Sequence, residues 1–388
     1  MFIGLIGAPN KGKSTLFSAI TTLDVEIAEH PFTTIKPNIG NTYFIKKCPD
    51  TELNLKCKPK NSLCINGSRR IPIKIVDVAG LVPDASSGKG MGNQFLNNLS
   101  GADALILVVD ISGETDEFGN PSKNHDPFLD IKFIQNELIT WLSDILASHV
   151  SSLSKLQDGA SALKSILSSF KATDSQIKKA ANEANLSLSY IAWSDVSIKK
   201  FSEYFIKLNK PLVVVANKLD KSSTEKLEEL SSKLKDIKVI GCSAAIELAL
   251  RKAMNSGAIS YTFGESSFSI NTTDKEKVKA LQYIKKYLEK NNDTGVQKTI
   301  NYVVETLLDQ IVVYPVENEN KFTDHFGNVL PDAILIKKGS TAIDLAAKIH
   351  TELAEKMIYA VDARTKNRVS KEYILKDNDI IKIVSAAR

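Results

Sequence analysis

The sequence predicts an α/β fold with a doubly wound parallel sheet, an inserted helical domain and a small α+β domain at the carboxyl end. Three observations support this prediction. Apolar runs at residues 2–6, 104–109 and 212–216 are each followed by a polar motif, as expected where buried parallel strands end at one edge of a sheet. Apolar residues recur at helical spacing between about residues 115 and 190. Beyond residue 311, short strand-like runs surround a single helical pattern.

The first polar motif is a phosphate loop. Residues 7–15 (GAPNKGKST) match the pattern GxxxxGK[ST] without a mismatch and lie between a strand-like run and a helical run. In this order, backbone N–H groups and the positive end of the helix dipole surround an anionic phosphate. We expect Lys13 to reach the outer phosphates and Ser14 to bind Mg²⁺. The sequence therefore predicts a P-loop NTPase domain, with Asn10, Lys11, Gly12, Lys13, Ser14 and Thr15 as nucleotide-binding residues.

Two further segments are expected to complete the magnesium site. Thr33 and Thr34 lie in a proline-bounded loop, which is either a simple turn or a switch whose hydroxyl joins the Mg²⁺ shell when a γ-phosphate is present. The strand-like run at residues 71–76 ends in Asp77, and Gly80 completes a DxxG motif. Asp77 is expected to hold Mg²⁺ through water, and the Gly80 N–H to contact the γ-phosphate. The alternative is an ordinary aspartate that caps the next turn.

The residue after Gly80 bears on the rate of hydrolysis. Many GTPases place a glutamine there to orient the attacking water, whereas this chain has Leu81, whose side chain forms no hydrogen bonds. We therefore expect slow intrinsic hydrolysis, with Lys13, a switch threonine and Gly80 as the catalytic residues. The side-chain oxygen of Asn10 is a candidate ligand for K⁺ beside the β- and γ-phosphates. Alternatively, Asn10 only braces the loop.

A base-recognition motif follows the apolar run at residues 212–216. It reads Asn217-Lys218-Leu219-Asp220, an NKxD pattern. The Asp220 carboxylate can accept from the N1–H and the exocyclic amine of guanine, whereas adenine has no donor at N1. Asn217 is expected to brace the loop and the Lys218 stem to cover the base. After one more helix and strand, Ser243-Ala244 is predicted to present the Ala244 N–H to the guanine O6.

Length, charge and the distribution of apolar residues limit the class of protein that the sequence can encode. The chain has 388 residues, a net charge of +5 and ordinary apolar content, so charge only weakly favours a polyanionic partner. The first strand begins almost at Met1, and no apolar run is long enough to span a bilayer, so we expect a cytoplasmic protein without a membrane partner. The helical stripes between about residues 115 and 190 are interpreted as packing faces.

Three cysteines lie close together in a long polar excursion. They are Cys48, Cys57 and Cys64, and their spacing is not the paired CxxC of common zinc sites. Free thiols are the first interpretation in a reducing compartment. A structural disulfide and a three-thiolate metal site are the alternatives.

With five motifs in order, the chain resembles GTPases of the translation-factor-related class. The segments GAPNKGKST, HPFTTIKPNIG and DVAGLV are similar to the Obg family, particularly its YchF-related branch. The resemblance implies a GTPase that acts with the ribosome, and by matching PFTT it makes Thr34 the metal ligand and Thr33 the fallback. Typical YchF proteins carry NxxE and prefer ATP, whereas Asp220 restores the guanine-reading carboxylate. This favours the guanine-preferring archaeal and fungal sub-branch and keeps an ATPase as an alternative.

The carboxyl-terminal segment resembles a second known module. Strands at 311–316, 333–336, 357–361 and 380–384 with one helix at 341–355 suggest a β-grasp fold, and residues 336–346 and 375–381 resemble the TGS domain. This predicts a P-loop G domain at 1–310 and a TGS-like domain at 311–388. The resemblance implies contact with RNA or protein, with no DNA partner expected. Three functions follow as hypotheses: a GTP-hydrolysing switch, a YchF-type ATPase, and an RNA- or ribosome-binding adaptor in which the nucleotide is structural.

Overall fold

The computed structural model describes residues 1–21, 38–78, 99–153, 158–189, 191 and 193–386. The chain divides into two compact units: unit 1 comprises Met1–Thr42 and Lys74–Thr299, and unit 2 comprises Tyr43–Ile73 and Ile300–Arg388. The sequence predicts a single boundary near residue 310, so the structure assigns residues 43–73 and 300–310 differently. The reason is visible in unit 2, where Lys58 N–H donates to the Val329 carbonyl and Lys60 N–H to the Pro331 carbonyl.

The first sheet has the doubly wound order expected from the sequence. Among the described residues, its seven strands are β1 (Phe2–Ile6), β2 (Asn38–Lys47), β3 (Leu63–Ile65), β4 (Ser68–Asp77), β5 (Ala104–Asp110), β6 (Leu212–Asn217) and β7 (Val239–Gly241). The order is β2-β4-β1-β5-β6-β7, with β3 antiparallel to β4. Strands are therefore added on both sides of β1, with β4 on one side and β5, β6 and β7 on the other. These five strands are parallel. Their carboxyl ends meet at one edge, where ligands bind in such sheets.

Helices pack around this sheet. They are α1 (Lys13–Ile20), α2 (Pro127–Leu153), α3 (Gly159–Ile166), α4 (Asp174–Glu183), α5 (Asp195–Asn209), α6 (Thr224–Lys233), α7 (Ala244–Asn255), α8 (Lys275–Asn291) and α9 (Val296–Tyr302), the last continued by a π-helical turn at Val303–Leu307. A short hairpin, β8 (Ile259–Tyr261) with β9 (Phe268–Ile270), lies beside α8. No helix of the described residues is both long and apolar enough to cross a bilayer.

The helical insertion shares its core with the sheet. The stripe predicted on α2 is buried through Ile131, Ile134, Leu138 and Leu142, in one cluster with residues of β5. Its interpretation as a packing face is confirmed. Helix α5 was not predicted, although it supplies Phe201 and Phe205 to the same cluster. Burial of these aromatic rings fixes the insertion against the sheet.

Unit 2 contains a five-stranded sheet with a helix packed on it. The elements are β10 (Gln310–Val316), β11 (Ile334–Lys337), α10 (Ala342–Ile349), α11 (Thr351–Glu355), β12 (Met357–Asp362), β13 (Arg368–Val369) and β14 (Ile380–Ser385), with strand order β11-β10-β14-β12-β13. Leu345 and Ala346 of α10 pack against Ile311 and Val313. The single helix predicted at 341–355 is wrong: His350 is extended and its ring accepts from the Glu352 N–H, which starts a new helix.

Candidate functional site

The phosphate loop links β1 to α1 at the carboxyl edge of the first sheet. Gly12 has a φ of 87° and precedes α1, so the amides of the first helical turn, including that of Thr15, are free of intrahelical bonds. A Cβ at Gly12 would lie 2.3 Å from the Asn217 Nδ2, and a Cβ at Gly7 would lie 2.4 Å from the Val108 carbonyl oxygen. Both glycines are therefore required by close approach as well as by backbone conformation.

Lys13, Ser14 and Asp77 form a polar group at the start of α1. The Lys13 ammonium donates to the Ala8 carbonyl at 3.0 Å, and the Ser14 hydroxyl donates to Asp77 Oδ2 at 3.1 Å. Burial lowers the pKa of Lys13, and the charge of Asp77 partly offsets this. Burial likewise raises the pKa of Asp77, against the charge of Lys13 and the bond from Ser14. Buried ionisable groups with shifted pKa values are characteristic of ligand-binding sites.

These residues fit a hard divalent cation. The Oδ1 atom of Asp77 is buried and has no hydrogen-bond partner among the described residues, and a hydroxyl lies beside the same carboxylate. Carboxylate and hydroxyl oxygens are the ligands that Mg²⁺ prefers. The structure brings Ser14 and Asp77 together, and their binding of Mg²⁺ stays a prediction.

The Lys11 side chain is bound by the helical insertion. Its ammonium is fully buried and points toward the helical insertion, where it lies 2.8 Å from Asp130 Oδ2 and donates to the Thr115 carbonyl at 2.8 Å. This ion pair holds the Lys11 side chain at the insertion, and nucleotide binding by Lys11, for which its backbone N–H is the remaining donor, stays a prediction. Asp130 also lies 3.0 Å from His125 Nε2. Sequence reasoning missed Asp130, which appears in the sequence only as a polar residue on an otherwise apolar stripe.

Asn10 braces the loop with its amide nitrogen, which donates to the Gly119 carbonyl at 2.8 Å. The residue has a φ of 57°, a left-handed conformation that asparagine tolerates well. The contact supports the bracing interpretation. It uses the nitrogen only, so the side-chain oxygen remains available as a cation ligand.

Asn217 joins three of the predicted motifs. Its Nδ2 donates to the Lys11 carbonyl at 3.0 Å, and its Oδ1 accepts from the Ala244 N–H at 3.1 Å. The phosphate loop, the NKxD loop and the Ser243-Ala244 motif therefore meet at one edge of the sheet. In this arrangement the Ala244 N–H is already bonded to Asn217, so contact with a guanine O6 requires it to be shared.

Asp220 is held by the neighbouring motif. The Ser243 hydroxyl donates to Asp220 Oδ1 at 2.5 Å, and Ser243 is the residue that caps α7. A cavity of about 230 Å³ adjoins Asp220 and is lined also by Tyr283, Tyr287 and Lys290 of α8. Helix α8 was predicted only as a packing element, because its amphipathic pattern does not distinguish a face that lines a cavity from a solvated face.

The Lys218 side chain lies against the end of β5. Its ammonium donates to Asp110 Oδ2 at 2.7 Å, and its backbone has a φ of 63°. Burial acts to raise the pKa of Asp110, but hydrogen bonds from Lys218, Ser112 and Thr115 outweigh it, so the pKa is lowered and the carboxylate stays charged. The pair fixes the loop that carries Asp220.

Four predicted residues lie outside the described part of the chain. They are Thr33 and Thr34 of the threonine switch, and Gly80 and Leu81 of the DxxG segment. Their roles stay predictions.

We expect Asn217→Ala to weaken nucleotide binding about 10- to 100-fold. The change removes two buried hydrogen bonds and leaves the Lys11 carbonyl and the Ala244 N–H unpaired, at a cost of about 1–3 kcal/mol. Calorimetric titration measures the affinity. Asn209→Ala is the matched control, because it removes buried hydrogen bonds to Phe170 and Gln176 in the insertion and should leave affinity unchanged. Equal affinities for the two folded variants would contradict the joining role of Asn217.

Three family models match the chain. A model described as a 50S ribosome-binding GTPase matches residues 2–146. A model of the Obg-like GTPase YGR210-like, G4 motif-containing domain matches residues 215–318, and a TGS domain model matches residues 326–385. Together they cover the phosphate loop, the NKxD loop and the carboxyl-terminal sheet.

Individual relatives agree with these matches. An uncharacterized GTP-binding protein of Methanocaldococcus jannaschii is 50% identical over 100% of this chain and 99% of its own length. The crystal structure of a GTP-binding protein from Pyrococcus horikoshii has a TM-score of 0.82 and 38% identity, with both chains fully covered. The ribosome-binding ATPase YchF of Mycoplasma pneumoniae is 33% identical over 55% of this chain and 56% of its own.

Proposed function

Because the chain belongs to the Obg-like/YchF family of P-loop GTPases, we propose that it is a slow GTPase that acts as a molecular switch in a ribosome-related process. The observation that carries the proposal is the position of Asp220. Its carboxylate is fixed by Ser243, on a loop that Asn217 bonds to the phosphate loop. One nucleoside triphosphate can then reach both the loop amides and this carboxylate.

Guanine preference follows from the chemistry of that carboxylate. It can accept the bond from Ser243 and two more from the N1–H and the exocyclic amine of guanine, because a carboxylate has about four acceptor sites. Adenine presents an acceptor at N1, which would leave Asp220 facing a lone pair. A site of this kind rejects the wrong base more strongly than a site built on apolar contact.

The residues divide the work of hydrolysis in the following way. The loop amides and Lys13 bind the phosphates, and Ser14, Asp77 and Thr34 would hold Mg²⁺, which would neutralise negative charge on the phosphates. Gly80 N–H contacts the γ-phosphate, and its loop and the Thr34 loop are ordered by GTP and relax with GDP. Leu81 cannot orient a water, so turnover is slow without another catalytic group.

Two observations support a ribosomal partner. One family model is described as ribosome-binding, and the Mycoplasma relative carries the same words in its name. The TGS domain of unit 2 supplies a separate module for contact with RNA or protein. In this proposal the state of the nucleotide changes the affinity for ribosomal RNA or protein.

An ATPase is the second candidate, because the relative named YchF is called an ATPase. The deciding experiment is the affinity of the purified chain for GTP, GDP, ATP and ADP by calorimetry. The proposal expects guanine nucleotides to bind at least about 100-fold more tightly than adenine nucleotides. Equal affinities, or tighter binding of ATP, would reject the guanine part and favour the ATPase.

Measuring GTP turnover distinguishes a switch from an adaptor in which the nucleotide is only structural. We expect GTP hydrolysis to rise when ribosomal subunits are added. Hydrolysis that stays negligible with and without subunits would favour the adaptor.

We expect K⁺ to stimulate hydrolysis relative to Na⁺ if Asn10 helps bind a monovalent cation. Asn10→Gly, which keeps the left-handed backbone, should lose the stimulation, whereas Asn10→Asp should keep it because an oxygen ligand remains. Both variants lose the bond to Gly119, so equal impairment would mean that Asn10 acts only as a brace. Turnover in the two salts measures the difference.

A further inference from the structure

Unit 2 contains a cluster of four potential metal ligands that has no part in the nucleotide site. They are Cys48 at the end of β2, Asp50 in the following 3-10 turn, Cys57 in the excursion and Cys64 in β3. One ligand atom from each lies within 4.8 Å of every other. The Cys48 and Cys57 sulfurs are 4.0 Å apart, and the Cys64 sulfur is 3.7 Å from Asp50 Oδ2.

Two of these separations are close to those of a tetrahedral metal site. With a zinc–sulfur bond of about 2.3 Å, two sulfurs at neighbouring corners of a tetrahedron lie about 3.8 Å apart, and a sulfur and an oxygen somewhat less. The separations of 4.0 and 3.7 Å are close to these values. A disulfide requires about 2.05 Å between sulfurs, so the Cys48–Cys57 pair is not one. The four cysteines of the chain are free thiols in the structure.

Buried charged groups in and beside the cluster, the Asp50 carboxylate and the Arg69 guanidinium, indicate that charged groups of the cluster are meant to be ionised around a bound cation. Cys48 and Asp50 are buried, and in the described part of the chain the Oδ1 atom of Asp50 has no hydrogen-bond partner. Arg69 lies opposite Cys64 in the register of the β3–β4 hairpin and is fully buried. It donates to the Leu330 carbonyl and lies over the Tyr314 ring, but no described residue bonds to its buried Nε and Nη1 atoms. A buried guanidinium needs a neighbouring negative charge.

We propose that Cys48, Asp50, Cys57 and Cys64 bind one structural Zn²⁺ ion. Thiolates select zinc over magnesium and calcium, and four protein ligands leave no open position for catalysis. Three thiolates and a carboxylate around Zn²⁺ keep a net negative charge, which the Arg69 guanidinium offsets from the next shell. Because the site has three cysteines and an aspartate, a search for paired CxxC motifs misses it.

The ion would fasten the excursion at residues 48–67 within unit 2. Among its described elements, this excursion has only a 3-10 turn at Pro49–Thr51 and the three residues of β3. Its backbone bonds to Val329 and Pro331 connect it to the rest of the unit. A segment with so little regular structure and so few buried apolar residues is of the kind that proteins stabilise with a metal.

The first test uses the full chain purified with reductant and without chelator. We expect one zinc ion per chain by elemental analysis. Replacement by Co²⁺ should give the visible bands of a tetrahedral site and thiolate-to-cobalt charge transfer. A metal-free chain that gives no thiolate charge transfer on titration with Co²⁺, or a disulfide between two of these cysteines, would overturn the proposal.

Variants identify the ligands. The double variant Cys57→Ser/Cys64→Ser should lose the metal, and Asp50→Ala should hold it more weakly. Asp50→Cys should keep it, because it completes a four-thiolate site. Cys242→Ser is the matched control for metal content, since Cys242 is a buried cysteine in unit 1, outside the cluster. Full zinc content in the double variant would reject the assignment.

A second readout does not depend on any variant. The exposed lysines Lys56 and Lys60 are trypsin sites within the excursion, whereas Lys58 precedes a proline and is not cleaved. The wild-type chain should resist cleavage there and become sensitive when a strong chelator removes the ion, and added Zn²⁺ should restore resistance. A cleavage rate that chelation leaves unchanged would show that the metal, if bound, does not fasten this segment.

Discussion

Asp220→Asn is expected to weaken GTP binding by at least about 100-fold and to create binding of xanthosine triphosphate. Hydrogen bonds to a charged group contribute about 1.5–3 kcal/mol each; the substitution removes the bond from the guanine amine, leaves the bond from N1–H with a neutral acceptor, and sets two donors against each other. The asparagine oxygen still accepts from N1–H, while its nitrogen faces the guanine amine. Xanthine carries a carbonyl oxygen at that position, which the asparagine nitrogen can donate to. Calorimetry with GTP and xanthosine triphosphate measures both effects.

The gain of xanthine binding separates a lost contact from a misfolded chain. Asp236→Asn removes the same charge from an exposed residue of unit 1, with 78% of its side chain accessible, and should leave both affinities unchanged. If Asp220→Asn keeps the affinity for GTP, Asp220 does not read the base. If it binds neither nucleotide while remaining folded, the carboxylate acts by holding the Ser243 loop instead.

Lys11→Met should destabilise unit 1 by about 3–5 kcal/mol, the largest stability effect that we expect in the chain. The change leaves Asp130 buried beside His125 without its cationic partner. Both tryptophans, Trp141 and Trp193, lie in unit 1, so their fluorescence reports the unfolding of that unit in urea. The expected result is a large decrease of the urea midpoint.

Two variants test the cause of that loss. Lys164→Met breaks an exposed ion pair with Asp174 and should change stability by no more than about 0.5 kcal/mol. Lys11→Met/Asp130→Leu removes both charges and should recover most of the stability, because no buried charge is left unpaired. A double variant as unstable as Lys11→Met alone would show that packing, and not the charge, accounts for the effect.

The elements that recognise nucleotide were predictable from the sequence because their patterns are local. Strand, glycine loop and helix occur in order around Lys13, Asp77 ends a strand-like run, and the NKxD motif of Asn217 and Asp220 follows a continuous apolar run. The carboxyl ends of parallel strands lie along one edge, so residues far apart in the chain meet there. The doubly wound order of the sheet and the helix-on-sheet unit at the carboxyl end followed from the same periodicities.

Other features depend on contacts between distant segments. Lys11 occupies a variable position of the phosphate-loop pattern, and nothing local shows that it pairs with Asp130 of α2. The excursion that carries Cys57 was placed in the first domain by its position in the chain, whereas its hydrogen bonds place it in unit 2. Short breaks such as the one at His350 depend on a capping contact that helical periodicity does not record.

The buried pair of Lys11 and Asp130 also has a thermodynamic consequence. It connects the nucleotide cradle to the first helix of the insertion through an ionic contact shielded from solvent. A macromolecule that binds the insertion and displaces Asp130 would alter the affinity for nucleotide, and bound nucleotide would alter the affinity for that macromolecule by the same factor. Such a partner would act on the nucleotide site from outside the pocket, without touching the nucleotide itself.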